Sequence, residues 1–370
     1  MIQLFKPCFG DEEWYSLREP LRTGWVGLGP KTTEFEQAFA EYIGVQHAIA
    51  MNSCTAALHL AMHVAGVADR EVITPSLTFI STNHAILYER GVPVFADVEE
   101  DTFNVDPGDI ERKITPKTRV IVAFHYGGQA CQMDEILRIA RSHDLVVIED
   151  AAHGCGGLYR GRKLGAIGDI GCFSFQAIKN LSTGEGGMIV TNDDEISERL
   201  RRLRWMGITK GAWERSQGGR YCWQYQVEEI GFKYHMHDLT AVIGLVQLRK
   251  LDVGNRRRRE IAQCYDEGLR DVKWLTLRRT PKEAVSAQHN YVLRVRDRDR
   301  LVEHLSAQGI EAGVHYYPNH LYPMYKDFRA DVPVTERLWA HLVTLPMHLD
   351  LSEDDVQQVI EGVRSFEPEV

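Results

Sequence analysis

The sequence predicts an α/β protein: a large part built on a mostly parallel sheet covered by helices on both faces, then a smaller C-terminal α+β part. Three observations carry this. Between about residues 45 and 192, short β-rich runs alternate with helical ones; several of those runs are continuously apolar, as strands buried on both faces must be. After about residue 238 the texture changes to one long helical pattern followed by strand, helix and strand. At 370 residues the chain exceeds the usual size of a single core. The expected division is a large domain over 1–245 and a small one over 246–370.

In chain order, "AMNSCTAALHLAM" reads as a strand giving way to an Ala/Leu-rich helix. "EVITPSL" and "VPVFADV" are β-branched runs separated by the helical "TNHAILYERG". "RVIVAFHYG" and "LVVIED" are continuous apolar strands separated by the helical "MDEILRIARSHD". "GCFSFQ" and "GGMIVTN" complete the set. Beyond these, "DLTAVIGLVQLRKLDVGNRRRREIAQCYDEGL" keeps helical periodicity for some thirty residues. "NYVLRV" then reads as a strand, "RDRLVEHLSAQG" as a helix and "IEAGVHYY" as a further strand.

Composition narrows the function classes. The chain is 44% apolar and 26% charged, with 43 basic against 52 acidic residues and a formal charge of −9. That balance argues against nucleic acid or an anionic membrane as a partner held by nonspecific charge. The one basic cluster, "NRRRRE" at 255 to 260, is expected to be a solvated helix face or to pack against acidic groups. No run of 18 apolar residues and no signal-like N-terminus is present, so a cytoplasmic protein is expected. Seven irregularly spaced cysteines suggest reduced thiols, neither a disulfide framework nor a CxxC metal site.

The candidate chemistry lies at strand ends, where open α/β sheets gather ligands. "LVVIEDAAHG" delivers Asp150 to the end of an apolar strand, where a carboxylate needs a cationic partner unless it caps a following helix. Ser53, Cys54 and Thr55 stand at a helix start, where free N–H groups and the helix dipole make a cup for one phosphate; capping alone would also account for Ser53. The Walker and G-x-G-x-x-G patterns are missing, which argues against a triphosphate or a dinucleotide. Lys179 follows the strand "GCFSF" and precedes Gly184, Gly186 and Gly187. Taken singly it reads as a solvated loop residue. Together, anion cup, strand-end carboxylate and lysine are the contacts pyridoxal 5′-phosphate (PLP) requires: a phosphate anchor, a partner for the ring nitrogen and a Schiff-base amine that also serves as base.

The string "EDAAHGCGG…GDIGCFSFQAIKNLSTGEGGMIVTND" resembles the DegT/DnrJ/EryC1/StrS family, the fold-type I sugar aminotransferases that act mostly on nucleotide-linked keto-sugars. The likeness extends over most of the chain, through "TGWVGLGPKTTEFEQAFAEYIGV", "NSCTAALHLAM", "TPSLTFISTNHAI", "HYGGQACQMDEI", "IGFKYHMHDLTAVIGLVQL" and "HYYPNHLYPMY". It implies an aspartate-aminotransferase-like fold, with Lys179 as the Schiff-base lysine and Asp150 as the ring-nitrogen partner. Ser53, Cys54, Thr55 and Ser174 fall on phosphate-binding positions. His153 takes a cofactor-side position commonly held by glutamine or glutamate, and Phe79 lies in the segment that supplies a ring-stacking contact. Cys54 stands where the family usually has glycine. Lys233 and His235, in "GFKYHM", replace the asparagine and arginine of a segment that reaches across to a second subunit's cofactor.

The expected activity is therefore transfer of an amino group from an amino acid, L-glutamate being the expected donor, to a keto-sugar, in a homodimer whose sites are shared across a two-fold interface. Three other readings compete. A non-catalytic PLP-binding sensor shares the fold. A sugar dehydratase is disfavoured because the dehydrating members have histidine at the lysine position, whereas Lys179 is present. Metal-dependent hydrolysis ranks last for want of H-E-x-x-H spacing. His315 and His320, in "HYYPNH", are candidates for the substrate mouth.

Overall fold

The computed structural model describes residues 1–209 and 224–369. Its strands are β1 (His47–Met51), β2 (Glu71–Pro75), β3 (Val92–Ala96), β4 (Thr118–Phe124), β5 (Val146–Asp150), β6 (Leu158–Tyr159), β7 (Arg162–Lys163), β8 (Ile170–Ser174), β9 (Gly187–Thr191), β10 (Leu275–Leu277), β11 (Ala284–Val285), β12 (Tyr291–Val295) and β13 (Leu342–Leu345). Seven of them form one sheet in the order β1-β9-β8-β5-β4-β2-β3. Strands β3, β2, β4, β5 and β8 run parallel, and β9 is antiparallel to both β8 and β1. The sheet is mixed, mostly parallel, as the apolar runs predict.

Those runs are apolar throughout because both faces are covered. Side chains alternate along a strand, so Val120 and Val122 of β4 enter one core with Ile148 and the helix Cys54–Ala65. Ile121 and Ala123 enter the opposite core with Val147 and the helix Met133–Ser142. A third cluster at the β8–β9 end is aromatic: Phe39 meets the rings of Phe173 and Phe175 edge-on at 5.0 and 5.4 Å.

The long helical pattern is one helix, Asp238–Leu269, whose N-terminus is capped by His237 accepting from the Thr240 N–H. Its length, about 48 Å at the helical rise, lets it serve two cores. Ala241 and Leu251 pack with the aromatic cluster of the large sheet, whereas Ile261, Ala262, Tyr265 and Leu269 pack with β12 and β13. Residue 245 lies inside this helix, so the chain crosses from one core to the other without a linker. The second core is covered by the three-stranded sheet β10-β12-β13 and the helices Arg298–Ala307 and Glu353–Arg364.

Two local expectations change. The basic cluster is not a solvated face throughout: helical spacing turns Asn255 and Arg258 inward, and both are buried, while Arg256 stays exposed. "IEAGVHYY" does not form a strand. Ile310 bridges Ile2 and Gly313 pairs with Thr344 of β13, the latter through two backbone hydrogen bonds of 3.1 and 2.7 Å, and the chain then leaves the sheet. Among the described residues no helix is long and apolar enough to cross a membrane.

Candidate active site

The parallel strands β5 and β8 lie side by side, with Asp150 paired in register with Cys172, so their ends open together. Beneath them is a cavity of about 440 Å³ lined among others by Ser53, Cys54, Thr55, Phe79, Asp150, His153, Ser174, Lys179, His315 and Tyr316. Nine of the sequence-predicted residues thus share its wall, Lys179 and Asp150 among them, although they come from five separate stretches of chain. The size suits a small-molecule ligand.

Successive residues of a strand face opposite sides, and the pair that ends β5 uses this. Glu149 points away from the cavity, fully buried, and accepts from the N–H groups of Gly165, Ile167 and Gly168 and from His125 Nε2 at 2.8 Å. Burial opposes its charge, yet these donors hold its carboxyl below the usual range. Asp150 points into the cavity and is only 2% exposed. It accepts from the Thr82 hydroxyl at 2.7 Å and the Ala152 N–H at 3.2 Å, and no ion pair with it forms among the described residues. Burial raises its pKa against these two donors. No helix follows it, so the capping reading of Asp150 gives way to a turn.

Opposite stands the start of the helix Cys54–Ala65. Ser53 does cap it, its Oγ accepting from the Ala56 N–H at 3.1 Å. The N–H groups of the first turn still face the cavity end, and the Ser174 hydroxyl at the end of β8 lines the same wall. Cys54 is buried, and its thiol is held neutral by that burial. Gly187, first residue of β9, lets this cup close: a Cβ there would lie 2.5 Å from the Ser53 carbonyl.

Lys179 sits half-buried in the turn after β8. Desolvation lowers its pKa to about 8, so near neutrality it exchanges readily between ammonium and free amine. His153 is buried and neutral, its pKa driven far down by burial. Its Nδ1 accepts from the Gly127 N–H, which leaves Nε2–H to donate to the Tyr316 hydroxyl at 2.9 Å. Phe79 leads into the helix Ile80–Tyr88 with its ring 55% exposed at the cavity mouth. His315, on the far wall, is bound by Thr344 and has its pKa lowered by burial to about 4.

Two predicted residues lie elsewhere. His320 is held between Ser76 Oγ at 2.6 Å and Glu336 at 3.2 Å, away from the cavity wall. Lys233 is exposed, its ammonium 3.6 Å from the centre of the Trp205 ring beside His235. Thr82, Tyr316, Gln176 and Glu185 join the site without having been singled out beforehand. Thr82 and Tyr316 lie in quoted segments, so position in the motif was the available signal.

The residues fit PLP on observations of this chain alone: a buried carboxylate with no ion pair among the described residues, a lysine with a lowered pKa, a helix N-terminus and an exposed ring share one cavity. Such an arrangement on a mostly parallel sheet defines an aspartate-aminotransferase-like protein of fold type I. Comparison with known proteins narrows this. The model of the DegT/DnrJ/EryC1/StrS aminotransferase family matches residues 7–364. The spore coat polysaccharide biosynthesis protein SpsC of Bacillus subtilis is 42% identical over 373 residues, covering 97% of this chain and 95% of that protein. The aminotransferase TlmJ of Streptoalloteichus hindustanus superposes with a TM-score of 0.92 at 35% identity, covering 99% of this chain and 98% of TlmJ. Spr1654 of Streptococcus pneumoniae, a sugar-aminotransferase relative solved in its PLP form, gives 0.92 at 29% identity with 98% of each chain covered. The chain belongs to the DegT/DnrJ/EryC1/StrS aminotransferase family, and its structural neighbours are sugar aminotransferases.

Proposed function

We propose that this chain uses PLP to move an amino group from an amino acid, L-glutamate first among donors, to a keto-sugar carried on a nucleotide, in making an amino-sugar for a surface polysaccharide or natural product. The observation that carries the reading is the convergence of the Lys179 amine and the unpaired, buried Asp150 carboxylate on one cavity. When bound, PLP supplies an aldehyde for reversible attachment and a ring that accepts electrons. Asp150 would face the ring nitrogen and favour its protonated form. Lys179 Nζ would hold the group and, once free, would carry a proton to and from the substrate carbon. The first-turn N–H groups at Cys54 and Thr55, with Ser53 and Ser174, hold the phosphate. Phe79 and His153 would border the ring, and His315, on the same cavity wall, would border the space for the sugar.

The names of the relatives support the substrate class, since SpsC is named for spore coat polysaccharide biosynthesis. The presence of Lys179 favours amino transfer over dehydration. Exposure of Lys233 on the "IGFKYHM" segment supports a homodimer in which that segment meets a second copy of the chain; sedimentation of the active protein as a monomer would remove this part of the reading. The activity itself is tested by a half reaction. L-glutamate added to the PLP-loaded protein should bleach the absorbance near about 400 nm and release one equivalent of 2-oxoglutarate per site. A cofactor whose spectrum no amino donor changes would leave a sensor, not an enzyme.

A further inference from the structure

His289 was not among the residues singled out in the sequence, and it comes from the second part of the chain, just before β12. It is buried, and its Nε2 lies 3.3 Å from Lys179 Nζ. Its other ring nitrogen, Nδ1, lies 3.1 Å from Asn180 Oδ1. That oxygen is not free to exchange places with its amide nitrogen, because Asn180 Nδ2 donates to both Asn255 Oδ1 at 2.8 Å and the Ala287 carbonyl at 2.7 Å. Asn255 is fixed in turn by donating to the Cys155 carbonyl at 2.9 Å. Each orientation dictates the next: Asn180 can only accept from His289, so Nδ1 carries the proton and Nε2 presents a lone pair to the lysine.

The ring is also held on its faces. Phe5 stacks on it at 5.5 Å with planes 5° apart, and His153 lies 4.2 Å away. Phe5 belongs to an N-terminal strap pinned by Leu4, whose carbonyl accepts from the Met347 N–H and whose N–H donates to Glu311. The charged and titratable groups around the ring are Lys179, His153, His315 and Arg258, and burial, with smaller contributions from Lys179, Arg258 and His315, drives the His289 pKa well below its ordinary value. An imidazole so placed keeps its one proton on Nδ1 and does not take up a second. Toward the lysine it can only accept a hydrogen bond.

We propose that His289 is a positioning residue for Lys179: its Nε2 lone pair accepts a hydrogen bond from the unattached Nζ and holds that amine at the cavity wall, while the Asn255–Asn180 relay fixes the tautomer that makes this possible. The inference rests on the reading of Lys179 as the reactive amine and adds what governs that amine when it is free. Asp150 and Cys54 also face Lys179 and favour its charged form, so the effect of His289 is read as a change against them.

The test uses the full-length protein without cofactor. Competitive labelling of lysines with acetic anhydride across pH, read by mass spectrometry on the peptide containing Lys179, gives that amine's titration midpoint. An acceptor facing Nζ favours the ammonium, so its loss should ease deprotonation. His289→Phe, which keeps the stacked ring and removes the lone pair, is expected to lower the midpoint by about one pH unit. His289→Gln, whose side-chain oxygen can take the place of Nε2, should restore most of it. Asn180→Leu should shift it in the same direction as the Phe variant. Wild-type and His289→Phe profiles that coincide overturn the proposal. A second measurement needs no variant: ¹⁵N shifts of labelled histidine should show His289 as the Nδ1–H form, and the Nε2–H form overturns the proposal. Borohydride treatment of the wild-type protein with PLP, followed by a search for a pyridoxyl group on the Lys179 peptide, tests the underlying reading separately.

Discussion

Lys179→Ala is expected to abolish turnover, lowering kcat by about 10⁴-fold or more, with no pyridoxyl group fixed by borohydride on the peptide that spans position 179. The size follows from one amine doing two tasks, attachment and proton transfer. A pKa of about 8 makes roughly half of it free base at pH 8, against well under about one per cent for an ordinary lysine. No other lysine lines the cavity among the described residues. Phosphate binding should persist, because the helix start at Cys54 and the Ser174 hydroxyl are untouched. A variant that still turns over at a tenth of the wild-type rate would place the reactive amine elsewhere. Lys179→Arg should behave like the alanine variant, since a guanidinium keeps the charge but supplies no free amine.

That Lys179 and Asp150 stand at or beyond neighbouring strand ends on one cavity was legible in the sequence for a physical reason. A parallel sheet buried on both faces must be written as continuous apolar runs, and polar residues that interrupt the ends of such runs stand where ligands gather. The helix start at Ser53 was legible from small hydroxyl residues followed by an Ala/Leu-rich stretch. What could not be read was any contact made across the fold. His289 reaches Lys179 from 110 residues away in sequence, and nothing in "AQHNYVLRV" marks that histidine apart from the other fourteen. The "IEAGVHYY" segment failed as a strand because β13 takes up only Gly313 from it, after which His315 and Tyr316 leave the sheet to wall the cavity. The basic run at 255 to 260 misled through composition. Its charges invite a solvated face, yet helical spacing sends Asn255 inward to hold Asn180.

Asp150→Asn separates function from stability, because the two should move in opposite directions. Amino transfer is expected to fall by about 10³-fold, since an amide bears no charge to keep the ring nitrogen protonated. The protein without cofactor should nevertheless melt at a higher temperature than wild type. Asp150 is buried with two neutral donors and, among the described residues, no ion pair; burial outweighs these donors and the more distant Lys179 and raises its pKa above the value it has in the unfolded chain. The folded state therefore binds that proton more tightly than the unfolded state does. Its contribution favours folding at low pH and is lost as pH rises through the folded pKa, leaving a buried charge that costs stability near neutrality. Asparagine removes the charge and keeps an oxygen for Thr82. The gain in melting temperature should thus be present at pH 8 and shrink as pH falls toward the ordinary carboxylate range. In the PLP-loaded protein the order should reverse, because the wild-type carboxylate would then have a direct ion-pair partner. Calorimetry of both proteins, with and without PLP, at pH 8 and pH 5 checks each sign. A variant without cofactor that melts lower than wild type at pH 8 would mean that Asp150 is kept for structure and not for the cofactor.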